Sequence, residues 1–442
     1  MLQNRQARAA TVVALLLFSL PWSARAQQAQ PDGPVLVRAA RMLDVVSGRT
    51  VRNARVLIEA GRITAVDPAT VPAGARTIDL GDVTLLPGFI DMHTHLAGEI
   101  GPDMVIEAVT TSAVDAAYRA VRHGRSTLDA GFTTVRDFGG EVTVALGKAV
   151  DRGDVLAPRV VPSRNALGIT GGHCDVTGFV PGVLEQSPRE GVADGPWQVV
   201  EAVRFQIKHG AQVIKTCATA GVLSMEGPVG AQQYTEEELK AMVDEAARHG
   251  IRVAAHAHGT DGIKAAIRAG VASIEHGSML DDEAIALMKQ HGTFLVPTTY
   301  LADRINLSVL PEVMRRKAET VMPLMRESLR KAIAAGVPIA FGTDAGVFPH
   351  GENAKEFAVY VKLGMTPLEV LRTATLHAAT LLDRTDRGVI EAGRLADLVA
   401  VPGDPLSDIA VTERVQWVML GGRVVRGRPG WGPAAHLKSG DG

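Results

Sequence analysis

Between about Leu86 and Leu382, short β-rich runs alternate with longer stretches of helical periodicity, and no other feature constrains the fold as strongly. The runs are Gly88–His95, Thr133–Phe138, Arg159–Leu167, Val213–Cys217, Arg252–Ala257, Ala272–His276, Thr293–Thr299 and Pro338–Gly342. Strands alternating with helices call for an α/β architecture with parallel pairing, and this number over about 300 residues argues for a (β/α)8 TIM barrel. Alternation alone does not separate a closed ring from a doubly wound open sheet. The helix starts agree with the pattern: Thr235-Glu236-Glu237-Glu238 and Thr366-Pro367-Leu368-Glu369 both read as capping boxes, the second with proline at the first helical position.

The flanks follow another rule. Val35–Ile63 alternates apolar and polar residues in short runs broken at Ser47-Gly48 and Gly61, the pattern of half-buried β-hairpins. Leu398–Val401, Val415–Leu420 and Arg423–Val425 repeat it at the other end, and the two ends are expected to form one small β-sandwich domain. Ile58-Glu59-Ala60-Gly61-Arg62 recurs as Ile390-Glu391-Ala392-Gly393-Arg394, which reads as two hairpin-type turns rather than an internal repeat. The division expected is 27–86 and 386–442 for the β domain and 87–385 for the barrel. Before it, Arg5 and Arg8 precede the uncharged run Ala9–Leu20 and a small-residue site at Ala24-Arg25-Ala26. Residues 1–26 therefore read as a cleaved secretory signal; the stretch is shorter than the roughly 20 apolar residues of a membrane anchor.

Composition narrows the partners. The 442 residues carry 46 Lys plus Arg against 48 Asp plus Glu, a net −2, which removal of the signal shifts to 43 against 48, a net −5. That excludes a polybasic nucleic-acid binder, and aromatics at 4% leave few stacking platforms for single strands or long glycans. The export signal places the protein in the periplasm or outside the cell, where disulfides form. With only Cys174 and Cys217, two inert buried thiols are expected in preference to a bridge.

In Phe89-Ile90-Asp91-Met92-His93-Thr94-His95, residues two apart on a strand share a face, so His93 and His95 can present two imidazoles to one metal ion. Further ligand-type residues stand at the ends of later runs: Lys215, His256, His276 and Asp344. A lysine after an apolar strand demands a partner or an altered charge. His258 shares the face of His256, so spacing leaves either as the ligand, with His256 favoured. Arg136 can meet a substrate anion or pair with Asp137 or another strand-end acid. Tyr234, just before a helix N-terminus, is placed to bind a substrate carboxylate.

Taken together these residues, with Thr170-Gly171-Gly172-His173 and the tail Gly388-Val389-Ile390-Glu391-Ala392-Gly393-Arg394-Leu395-Ala396-Asp397-Leu398-Val399, resemble the amidohydrolase superfamily, in particular its imidazolonepropionase-related subgroup of Xaa-Pro dipeptidases and ochratoxin-type amide hydrolases. The resemblance implies a carbamate on Lys215, formed from CO2, bridging two divalent ions, most readily Zn2+. It implies His93, His95 and Asp344 on one ion and His256 and His276 on the other. Asp344 then acts as base and acid, and His173 hydrogen-bonds the developing oxyanion or the substrate. The activity implied is hydrolysis of an amide to release a C-terminal amino acid from a dipeptide or N-acyl amino acid, by a homo-oligomer. The rival enzyme reading is a hydrolase of cyclic amides, lactones or phosphoesters with the same centre; the rival of another class is a non-catalytic periplasmic metal- or peptide-binding protein.

Overall fold

The alternating N-terminal pattern folds into β1 (Val35–Leu43), β2 (Thr50–Glu59) and β3 (Arg62–Val66), paired antiparallel in a computed structural model that describes residues 33–427 except Glu226. Ala60 and Gly61 connect β2 to β3, both at positive φ (47° and 76°), a tight turn whose twist matches that of the strands. Two strands the sequence reading did not single out follow, β4 (Arg76–Asp79) and β5 (Val83–Pro87), both parallel to β1. The expected signal segment lies outside the described residues.

The alternating middle forms β6 (Phe89–Thr94), β7 (Phe132–Asp137), β8 (Arg159–Pro162), β9 (Ile214–Cys217), β10 (Val253–Ala257), β11 (Ser273–His276) and β12 (Phe294–Val296). Pairing is parallel throughout, β6 to β7 to β8 and β9 to β10 to β11 to β12. The third expected run is shorter than read: beyond β8, Arg164 turns into the left-handed region (φ 60°), and Leu167 meets Thr216 by a single bridge. The eighth makes no regular strand. It is seated by isolated parallel bridges, Ile339 to Leu295 and Ala345 to Thr94, and by bonds from Met92 N to the Phe341 carbonyl and from Asp344 N to the His93 carbonyl. A helix follows each of the eight segments, among them Glu236–Arg248 and Glu312–Ala335, and both expected capping boxes are formed, at Thr235 and Thr366. No helix among the described residues is long and apolar enough to cross a membrane.

The chain then returns as β13 (Leu398–Pro402), β14 (Trp417–Leu420) and β15 (Arg423–Arg426). β13 pairs antiparallel with β5, so one mixed sheet, ordered β15-β14-β13-β5-β1-β2-β3 with β4 beside β1, is built from both ends. Its core includes Val37, Val56, Leu85, Trp417 and Met419. The Ile390–Arg394 copy joins no hairpin, a correction to its reading: it lies along β3, Gly393 N donating to the Ile63 carbonyl and Ile63 N to that of Arg394. Arg159 of β8 reaches Asp397 through Nε (2.9 Å) and Nη2 (3.2 Å), tying this sheet to the parallel strands. Cys174 and Cys217 are disulfide-bonded, with Cα atoms 5.7 Å apart, which corrects the expectation of two thiols. The loop after β8 folds back alongside β9, a long-range juxtaposition that a separation of 43 residues conceals.

Candidate active site

Strand alternation sends His93 and His95 to one face, and a cavity of about 440 Å³ opens above them. Its lining includes His93, His95, Lys215, His256, His276 and Asp344, so all six expected ligand residues converge. His93 Nε2 lies 3.5 Å from Lys215 Nζ and 3.4 Å from Asp344 Oδ1, and His95 Nε2 lies 3.2 Å from the same oxygen. The ring of His256 sits 4.6 Å from that of His276. His276 and Asp344 both stand at positive φ, 69° and 61°, where a side chain costs about 1–3 kcal/mol that the surroundings must offset.

These groups fit metal ions. Donor atoms of His93, His276 and Asp344 lie within 4.8 Å of one another. His256 Nε2 is buried with no hydrogen-bond partner, so a lone pair at that atom is open to a metal ion. The distal nitrogens are held from behind: His93 Nδ1 by Glu275 Oε2 (2.8 Å) and His276 Nδ1 by Thr298 Oγ1 (2.7 Å), the arrangement that orients ligating imidazoles. Burial pushes His93 down to about 4, and burial with repulsion from neighbouring histidines holds His256 and His276 well below the ordinary value, so the rings are neutral and able to ligate. His258 Nδ1 lies 2.7 Å from Ser278 Oγ, the same support that His276 has, so it is the orphaned Nε2 of His256 and not this contact that favours His256 as the ligand. Lys215 is 4% exposed, its Nζ 4.2 Å from the centre of the Phe138 ring. Burial lowers its amine to about 8, which brings the neutral form within reach.

The expected substrate contacts fare differently. His173 lines the cavity, its ring 4.3 Å from that of His256. Tyr234 does not reach the cavity, a correction: its ring is fully buried and its hydroxyl donates to the Ala193 carbonyl at 3.1 Å. Arg136 does not meet a substrate anion either. Its buried guanidinium donates to the Met92 carbonyl (2.6 Å), Ser273 Oγ (3.0 Å) and Glu275 Oε1 (2.7 Å), because a charge at this depth must be paired within the protein. Tyr234→Phe should therefore leave KM unchanged and lower stability by about 1–3 kcal/mol, since it strands a buried carbonyl. Urea denaturation beside steady-state kinetics checks this, and a raised KM at unchanged stability would contradict it.

The Amidohydrolase family profile matches residues 84–425. The chain belongs to the amidohydrolase family. It is a hydrolase acting on amide bonds. Ochratoxinase from Aspergillus niger is 36% identical over 375 residues, covering 79% of this chain and 77% of the relative. A crystal structure of a Xaa-Pro dipeptidase with bound methionine in the active site superposes with a TM-score of 0.85 at 37% identity, covering 89% of this chain and all of that one. A prolidase complexed with N-methylphosphonate-L-proline gives 0.84 at 35% identity, covering 90% of this chain and all of its own.

In this amidohydrolase the supports behind the cluster were the part sequence reasoning missed. Glu275 joins Arg136, Ser273 and His93, and Asp91 accepts from Thr343 Oγ1 (2.6 Å), Asn353 Nδ2 (2.8 Å) and the His93 N–H, binding β6 to the segment that carries Asp344. One signal was available: a glutamate inside a short predicted strand, directly before His276, needs a partner as much as Lys215 does. Glu275→Gln should weaken metal binding by about 10- to 100-fold, since a neutral amide no longer fixes His93 as a carboxylate does. Competition with a chelator measures this, and unchanged affinity would make Glu275 a partner of Arg136 alone.

Proposed function

We propose that this amidohydrolase is an exported, binuclear metal-dependent enzyme that cleaves the amide of a dipeptide or N-acyl amino acid and releases the C-terminal residue. The reading places its catalytic unit, residues 87–385, in a (β/α)8 barrel, with 27–86 and 386–442 as the companion β domain and the subunits associated as a homo-oligomer. One observation carries it: four histidines and Asp344 line one cavity with a buried lysine, and His256 Nε2 lacks a hydrogen-bond partner. His93, His95 and Asp344 would hold one ion, His256 and His276 the other, with carbamylated Lys215 between. Zinc suits nitrogen and oxygen donors of this kind. Divalent ions in such a pair activate water and polarise the scissile carbonyl.

The chain's own groups do the rest. Asp344 borders the cavity, its Oδ1 3.4 Å from His93 Nε2 and 3.2 Å from His95 Nε2, so it can receive a proton from the attacking water and deliver it to the departing nitrogen. Burial would raise the Asp344 carboxyl, but the field of His93, the hydrogen bond from His95 and the field of Lys215 outweigh it and hold the group below the usual range, which keeps it ready as a base. His173 faces the same space and can donate to the substrate carbonyl oxygen. The same cavity is lined by Leu301, Ile305, Val321, Met322 and Met325, apolar side chains suited to an acyl or side-chain group. The solved dipeptidase and prolidase structures support an amino-acid-derived substrate.

The test combines elemental analysis with a panel of dipeptides and N-acyl amino acids. About two transition-metal ions per chain are expected, with hydrolysis abolished by strong chelation and restored by Zn2+. Full activity with no more than one ion would overturn the binuclear reading, and a panel without a substrate would overturn the activity.

A further inference from the structure

His173 differs from every other histidine of the cavity in what carries it. The others sit at or next to the ends of β6, β10 and β11, whereas His173 lies in the loop between β8 and the helix Gly195–Lys208. Loops move more than the elements they join, and a group that must meet a reacting carbonyl needs a fixed place. Its Nδ1 is buried with no hydrogen-bond partner, so no bond at that atom orients the ring.

What seats it comes from its surroundings. The next residue, Cys174, is bonded to Cys217, which ends β9 two positions after Lys215. The His173 N–H donates to Gln233 Oε1 at 3.1 Å. The ring lies so close over Gly221 that a Cβ there would stand 2.2 Å from its atoms, and a Cβ on Gly168 would come within 2.7 Å of that of Cys174. Two glycines thus leave room for the loop to approach, and the disulfide is the one covalent link that fixes it to a strand bearing a ligand residue.

We propose that the Cys174–Cys217 disulfide is a positioning element for His173, so that opening it lowers kcat while the metal ions stay bound. The proposal rests on the reading of His173 as the group that meets the substrate. Opening is a two-electron reduction: a small dithiol is oxidised to its cyclic disulfide, and its two protons and two electrons yield a thiol on each cysteine. Both cysteines border the cavity, within reach of such a reagent.

The test is a cycle on the metal-loaded enzyme: wild type, Cys174→Ala with Cys217→Ala, His173→Asn, and all three together. Alanine is chosen because neither a thiol nor a hydroxyl is then left to ligate metal. The double alanine variant should keep its metal by elemental analysis and lose between about 10- and 100-fold in kcat, with KM changed far less. In the His173→Asn background, removing the bridge should cost less than about twofold, because the group it positions is gone. Full kcat without the bridge, or an equal loss with and without His173, would overturn the proposal while the hydrolase reading stands. A wild type inactive on every amide would overturn the functional reading and this proposal with it. If the double variant does not fold, wild type reduced with a dithiol and freed of it before assay replaces that arm, under the same criteria.

Discussion

Lys215→Ala should leave the protein depleted of metal and lower kcat/KM by about 10³-fold or more, the loss of several kcal/mol of stabilisation at the reacting carbonyl. The size follows from position. Nζ sits beside His93 Nε2 and over the Phe138 ring, 4% exposed, where an ammonium has little solvation and the surrounding histidines are themselves neutral. Below about pH 8 the amine is increasingly protonated and cannot attack CO2, so reconstitution of apo-enzyme with metal and bicarbonate should be faster above that pH than below it. A short carboxylic acid supplied in solution should restore part of the activity of the alanine variant, since it can occupy the space of the carbamate. Full metal content and full activity in Lys215→Ala would remove the lysine from the centre.

Asp344→Asn carries the second large expectation, a fall in kcat of about 10²- to 10⁴-fold, the range of a lost proton-transfer group. The loss should depend on the leaving nitrogen. An alkyl amine departs only when protonated, whereas p-nitroaniline leaves with far less help, so the variant should be impaired more on a dipeptide than on the matching p-nitroanilide. Kinetics on that pair decides the matter: equal losses on both would confine Asp344 to holding metal. The geometry favours the dependence, because Oδ1 lies within 3.4 Å of both His93 and His95 and borders the open cavity.

Convergence of these side chains was legible because strand ends are local: His93 and His95 two apart on an apolar strand, Lys215 after another, Asp344 beyond a third, each in a place where apolar neighbours make a polar group conspicuous. The capping boxes at Thr235 and Thr366 were legible for the same reason, every participant lying within four residues. What misled was whatever depended on a distant partner. Tyr234 has the right address for a carboxylate, before a helix start, yet its hydroxyl is taken by Ala193, from a loop that returns across the chain. Arg136 pairs with Glu275 rather than with its neighbour Asp137, which accepts from Thr94 and from the Leu96 N–H instead. β5 was overlooked because it is buried along its whole length and so shows no alternation, and β4 because its four residues, Arg76–Asp79, are mostly exposed and too few to show a pattern.

The antiparallel pairing of β5 with β13 governs the order in which the molecule can assemble. β5 is complete before the parallel strands and their helices are made, but its partner β13 follows only after all of them, and closing so long a loop is slow. Until then the apolar strand Val83–Pro87 has one edge unpaired, an invitation to aggregate. Refolding should thus be limited by the meeting of the two ends, while the adjacent strand-and-helix units between them form early from contacts near in sequence.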